Sequence, residues 1–180
     1  MQAMSIDADP TGNTATALDA HTPCIAAEPG ATVTVDVTAL NIPPYNDGGT
    51  PDPSDDTGGI IAFAYLLLYD EAALTIETQT SLFLLASNPG SNLFNAGDPV
   101  PDTDGSDVFS ASVLDTGTGP PEGGSGVLDR LTISIAPGAT PGLYSLQIEP
   151  NNTAHLDASG AAFSPLAFNN ADLAVGVPCP

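Results

Sequence analysis

The chain has 180 residues, room for one β-sandwich or barrel domain, and its 42% hydrophobic content is too high for a disordered polymer. It carries 22 acidic residues against a single basic one, Arg130, for a formal charge of −21. A surface without cations cannot neutralise phosphates, which excludes nucleic acid and anionic membrane surfaces as partners.

Residues 5–24 open with a short apolar-acidic edge and continue as a polar loop. Residues 31–40 alternate, with Val33, Val35 and Val37 on one face and Thr32, Thr34, Asp36 and Thr38 on the other, the period-2 signature of a half-buried strand. Residues 41–59 form a long Pro- and Gly-rich loop carrying Asp47, Asp52, Asp55 and Asp56. Next come ten consecutive apolar or aromatic residues, 60–69, between Gly58-Gly59 and Asp70-Glu71. Too short to span a bilayer and rich in Ile, Phe and Tyr, the run reads as a central strand buried on both faces. Residues 74–78 alternate again, 81–86 are apolar and suit a short helix or strand, and 87–107 are a second long acidic loop. Strands are predicted over 108–114, 127–135, 143–149 and 171–177, with 115–126 as a Gly/Pro/Thr hairpin tip. Short strands between turn signals, with no long 3.6-residue period, predict an all-β jelly-roll β-sandwich of about eight or nine strands. Residues 1–23 read as an N-terminal arm and 24–180 as the sandwich domain.

Two cysteines, Cys24 and Cys179, lie near opposite ends of the chain. Domain termini are commonly close in space, so a disulfide joining the first and last strands is expected, as is an oxidising, extracellular or cell-surface location. The sequon Asn151-Asn152-Thr153 is compatible with export, and the opening residues show neither the basic nor the apolar region of a signal peptide.

Asp outnumbers Glu by 17 to 5 and keeps company with Gly, Pro, Ser and Thr, as in loops. Two readings of the acids stand side by side: a solvated halophilic skin, and carboxylates gathered for a divalent cation. Asp98, Asp102, Asp104 and Asp107 fall within ten residues around Gly105, and hard oxygen donors in an irregular loop suit Ca²⁺. Asp7, Asp9, Thr11 and Gly12 copy the first half of an EF-hand loop, but Leu18 stands where its closing Glu belongs. Asp52, Asp55 and Asp56 form a third candidate group. Catalytic signatures are missing: His21 and His155 have no metal-type spacing and read as loop residues, and there is no nucleophile elbow, P-loop or zinc-type Cys pair.

The order of core motifs resembles the cohesin family and the related carbohydrate-binding-module sandwiches. The residues that carry the resemblance are Gly30-x-Thr32-Val33-Thr34-Val35-Asp36-Val37, then Leu68-Tyr69-Asp70 with Leu74, Gly126-Val127-Leu128-x-x-Leu131-Thr132-Ile133, and Pro141-Gly142-x-Tyr144-x-Leu146. Glu71 stands where the family has Pro, and the two acidic loops are larger than a cohesin's. The resemblance implies a jelly-roll sandwich in a non-catalytic, secreted or cell-surface module whose partner is another protein or further copies of itself. A calcium-dependent filament built by strand addition through the arm is the alternative. A glycan-binding role is disfavoured by the absence of Trp but left open by Tyr45, Tyr65, Tyr69 and Tyr144.

Overall fold

The computed structural model describes residues 1–50, 52 and 55–180. Within them thirteen strands form two sheets. Five strands make the smaller sheet: β1 (Ala3–Asp7), β3 (Thr32–Ile42), β5 (Leu74–Thr80), β8 (Gly124–Ile135) and β12 (Ala167–Asn169), in the order β12-β1-β3-β8-β5. The larger sheet holds β2 (Cys24–Ala27), β4 (Ala62–Leu68), β6 (Leu93–Asn95), β7 (Val108–Asp115), β9 (Gly142–Ile148), β10 (Ala154–Leu156), β11 (Ala162–Phe163) and β13 (Ala171–Val175). In it β4 pairs with β7 along one edge and successively with β9 and β10 along the other. No helix among the described residues is long and apolar enough to cross a membrane.

Alternation builds the core. Val33, Val35 and Val37 of β3, with Leu131, Ile133 and Ile135 of β8, meet Phe63, Tyr65 and Leu67 of β4 and Phe109, Ala111 and Val113 of β7 in one hydrophobic cluster. The fold class read from the sequence is the one observed. Three local expectations change. The apolar run around β4 is not buried on both faces: Phe63, Tyr65 and Leu67 enter the core, whereas Ala64, Leu66 and Leu68 stay half-exposed on the outside. The stretch 115–126 is not a hairpin tip but a crossing between sheets, since β7 pairs with β4 and β6 whereas β8 pairs with β3 and β5. The acidic loop 87–107 contains β6, paired with β7 through Leu93↔Asp115, Phe94↔Leu114 and Asn95↔Val113.

The first strand lies inside its own sheet, where all five of its residues pair with β3. Residues 8–22 then double back as a strap over the outer face of the smaller sheet. Ala8 N donates to Thr22 O at 2.9 Å, and Val127 N donates to Thr14 O at 3.0 Å. The strap presses so close that a Cβ on Gly126 would stand 2.0 Å from Ala15 O, so only glycine fits there. Beneath it Asp36, fully buried, is held by Arg130 through Nε at 2.7 Å and Nη2 at 2.9 Å. The guanidinium also donates to Asn13 O at 3.4 Å and lies over the Phe83 ring at 4.8 Å, tying strap and sheet together. At the far edge β2 runs parallel to β13, and the Cys24–Cys179 disulfide closes a separation of 155 residues.

Candidate docking face and acidic cluster

Because inward positions of the larger sheet are taken by the core, their neighbours form its outer surface. On β4 these are Ala62, Ala64, Leu66 and Leu68; on β7, Val108, Ser110, Ser112 and Leu114; on β9, Leu143, Ser145 and Gln147. Across the ladder Leu66 stands opposite Ser110 and Leu68 opposite Val108. Phe94 on β6 is 58% exposed and lies beside Leu114, which is 37% exposed, and Leu143 is 51% exposed at the other end of the face. None of these outward residues is charged, although acids make up 22 of the 180 residues. Carboxylates reappear on β13, where Asp172 stands opposite Ser145 and accepts from its Oγ at 2.6 Å, and at the rim. Asp98 continues the β6 edge, with its amide donating to Ser110 O at 2.8 Å and its carboxylate accepting from Ser110 N at 2.7 Å. Asp115 ends β7, and Glu149 follows β9 with its amide on Leu66 O at 2.9 Å.

A separate acidic group sits where the turn after β4 meets the second acidic loop. Glu71, Asp102 and Asp104 each offer a carboxylate oxygen within 4.8 Å of the other two, the only such cluster among the described residues. The loop reaches this place because Asp102 N donates to Ile76 O of β5 at 2.9 Å, next to the cis peptide Val100-Pro101. Asp102 is buried, and its Oδ2 accepts from Tyr69 Oη at 2.8 Å. Burial, with the negative charges of Asp104, Glu71 and Asp98 around it, pushes this carboxyl above the usual range, although the tyrosine hydrogen bond opposes the shift. Burial, followed by the Asp102 hydrogen bond and charge, pushes the Tyr69 hydroxyl up as well. Asp107, at φ 58°, closes the loop: its Oδ1 accepts from Glu71 N at 2.9 Å, and its carbonyl accepts from Tyr69 N at 3.1 Å. Glu71, Asp102 and Asp104 are mutually repelling hard-oxygen donors, and Glu71 and Asp104 line an open cleft of about 420 Å³, a donor set that suits a calcium ion in charge and ligand type.

The chain aligns with the third cohesin ScaC of Acetivibrio cellulolyticus, solved in complex with the ScaB dockerin, at a TM-score of 0.63 and 16% identity, covering 97% of this chain and 99% of that one. It aligns with the seventh ScaB type I cohesin of Pseudobacteroides cellulosolvens at 0.59 and 18% identity, covering 99% and 94%. A non-cellulosomal cohesin from the hyperthermophilic archaeon Archaeoglobus fulgidus aligns at 0.57 and 13% identity, covering 98% and 91%. The fold is a cohesin fold. No protein-family model matches the sequence, and no curated protein matches it.

On this cohesin-like frame the acids predicted from the sequence part company. Asp102 and Asp104 converge, with Glu71 as the third member that sequence spacing missed; Glu71 lies 31 positions before Asp102, so only the pairing of distant loops reveals it. Asp98 and Asp107 serve backbone amides on either side of the cluster. Asp7 is buried under the strap, its Oδ1 accepting from Asp9 N at 3.1 Å and Thr22 N at 3.0 Å, its Oδ2 from Asn13 Nδ2 at 3.0 Å. Asp9 accepts from Thr11 N at 3.0 Å, so the EF-hand-like residues form hydrogen-bonded turns. In the first acidic loop Asp55 accepts from Thr50 Oγ1 at 2.8 Å and Asp56 from Tyr45 Oη at 3.1 Å, while Asp52 donates its amide to Thr50 Oγ1 at 3.1 Å.

The histidines diverge. His21 is an exposed loop residue with Nε2 2.9 Å from Ile6 O. His155 is not a loop residue: β10 places it opposite Phe63, 1% exposed, with its ring edge on Phe163 and neither nitrogen partnered. Burial lowers its pKa to about 4. The tyrosines form no exposed stacking platform, since Tyr65 and Tyr69 are buried and Tyr45 and Tyr144 are half-buried on separate loops and strands.

Proposed function

We propose that this chain is a secreted or cell-surface, non-catalytic binding module that docks a protein partner on the outer face of its larger sheet, with calcium at Glu71, Asp102 and Asp104 stiffening the loops beside it. The observation that carries the reading is the bare face itself. Phe94, Leu114, Leu66, Leu68 and Val108 share one uncharged surface on a chain of charge −21, and an apolar patch with a polar rim marks an interaction site. Solved cohesins of the same fold are described in complexes with dockerins, which makes a dockerin-like module the first partner to try. The Cys24–Cys179 bridge suits an oxidising compartment. Strand donation through an N-terminal arm is less favoured, because β1 is already paired on both sides by β3 and β12.

The test is calorimetric titration against a panel of dockerin modules in calcium and in chelator, with thermal melts of the chain alone. Binding that survives in a Leu66→Asp, Leu114→Asp double variant would remove this face as the docking surface. Calcium held only by the folded chain raises stability by about 2.7 kcal/mol at one hundred times its Kd. Melts of wild type that shift with Ca²⁺, and of a Glu71→Gln, Asp104→Asn variant that do not, are the expected result. Equal melting in calcium, sodium and chelator would make the acids a halophilic surface. Growth in particle size with calcium alone would favour assembly of copies of the chain.

A further inference from the structure

Strand β6 is the weakest edge of the docking face. It is three residues long, it pairs only with β7, and it carries the most exposed aromatic side chain on that surface, Phe94. Both of its ends are tied to buried carboxyl groups on other parts of the chain. Upstream, Glu122 of the sheet-crossing segment is 2% exposed; its Oε1 accepts from Asn88 N at 3.4 Å and Ser91 Oγ at 3.1 Å, and its Oε2 has no partner. Ser91 stands two residues before β6. Downstream, Asp129 of β8 points into the core at 0% exposure and accepts from Tyr65 Oη at 2.8 Å, from Ser81 Oγ and from Gln79 Nε2 at 2.8 Å. Gln79 Oε1 in turn accepts from Asn95 Nδ2 of β6 at 2.9 Å.

We propose that β6 is a proton-tightened clamp on the edge of the docking face, closed when the Glu122 carboxyl is neutral and loosened when it ionises, while three donors hold Asp129 at the other end in either state. An anion at Glu122 would be buried with one oxygen unsatisfied, a cost that local opening to water relieves. Burial raises Glu122 to about 7, against the hydrogen bonds from Ser91 and Asn88, and Asp129 to about 6, against those from Ser81, Tyr65 and Gln79. The charged group acting on Glu122 is Asp115 on β7, which opposes ionisation further; the titratable neighbour of Asp129 is the Tyr65 hydroxyl, while Arg130 is engaged with Asp36. Both acids have folded pKa values above their unfolded ones. Their contribution is therefore complete at low pH and lost as pH rises through about 6 to 7. The consequence for docking rests on the reading of this face given above, whereas the clamp itself is testable on the chain alone.

The measurement is amide hydrogen exchange followed by mass spectrometry from about pH 5.5 to about pH 8, corrected for intrinsic exchange, and comparing 87–96 with 32–42. Protection of 87–96 should fall about tenfold or more across that range, since one unit of differential pKa is a tenfold factor, while 32–42 stays level. In Glu122→Gln, neutral at every pH, the fall should shrink. A fall of the same size in that variant, or no fall in wild type, overturns the clamp. Carbon-13 carboxyl titration of the wild type gives an answer independent of any variant's folding: a Glu122 midpoint in the ordinary carboxylate range overturns it as well. A clamp that passes while no partner binds leaves the clamp standing and the docking reading refuted.

Discussion

The two outer faces of the sandwich are treated in opposite ways. The smaller sheet presents Thr, Ser and an ion pair outward, and the chain's own strap at 8–22 lies over it. The larger sheet presents Leu, Ala, Val and Phe outward, with Ser on β7 and Ser and Gln on β9 between them, and no segment of the described chain lies over their centre. A polar face wrapped by its own chain and an apolar face left open invert the usual expectation that apolar surface is the first to be covered. The difference teaches how one sandwich can treat its two surfaces: covering the smaller face stabilises the monomer, and on the function proposed above the larger one is left open for a partner.

Breaking the wrapped face should cost the most stability. Arg130→Ala leaves the fully buried Asp36 carboxylate without its cation and frees Asn13 and Phe83, so a loss of about 3–5 kcal/mol in denaturant unfolding is expected. Retained stability would show that the strap holds without its ion pair. Gly126→Ala should cost about 1–3 kcal/mol by pushing the strap off β8, read as increased exchange of 8–22. On the open face the same measurement should barely move. Phe94→Ala is expected to change stability by about 0.5 kcal/mol or less while weakening binding of a cognate dockerin-like partner by about 2 kcal/mol. A large stability loss there would mean that Phe94 is part of the fold and not of a docking surface.

The smallest effect concerns pH. His155, folded pKa about 4 against an ordinary 6.5, contributes stability that is intact above pH 6.5 and is lost as pH falls toward 4. Glu122 acts in the other direction, adding stability as pH falls from about 7 toward 4.5. Asp129, raised to about 6, adds to the Glu122 effect, so wild-type stability should rise gently as pH falls between these limits, with His155 offsetting part of the gain. His155→Leu should remove the acid-side loss and leave stability rising as pH falls; an unchanged profile would mean that the imidazole is hydrated in the folded state.

Much of the fold was legible in single stretches. Val33, Val35 and Val37 announced both a strand and the side it buries, and Leu131, Ile133 and Ile135 did the same for its neighbour. The acidic site was half legible: Asp102 and Asp104 are close in sequence and in space, whereas Glu71 joins them only through the contact of the loop with β5. His155 was misread because three residues of β10 give too short a run for periodicity to speak.

By itself, then, the sequence determined that this is an acidic all-β sandwich, since alternation, turn residues and charge are local or additive properties of the chain, whereas the cystine clasp needed its two ends to meet in space. Which acids meet, which histidine is buried, where segment 115–126 crosses, and which face stays bare were decided by tertiary structure. Each depends on register between strands far apart in sequence, and a one-residue shift in register would exchange the inside of a sheet for its outside.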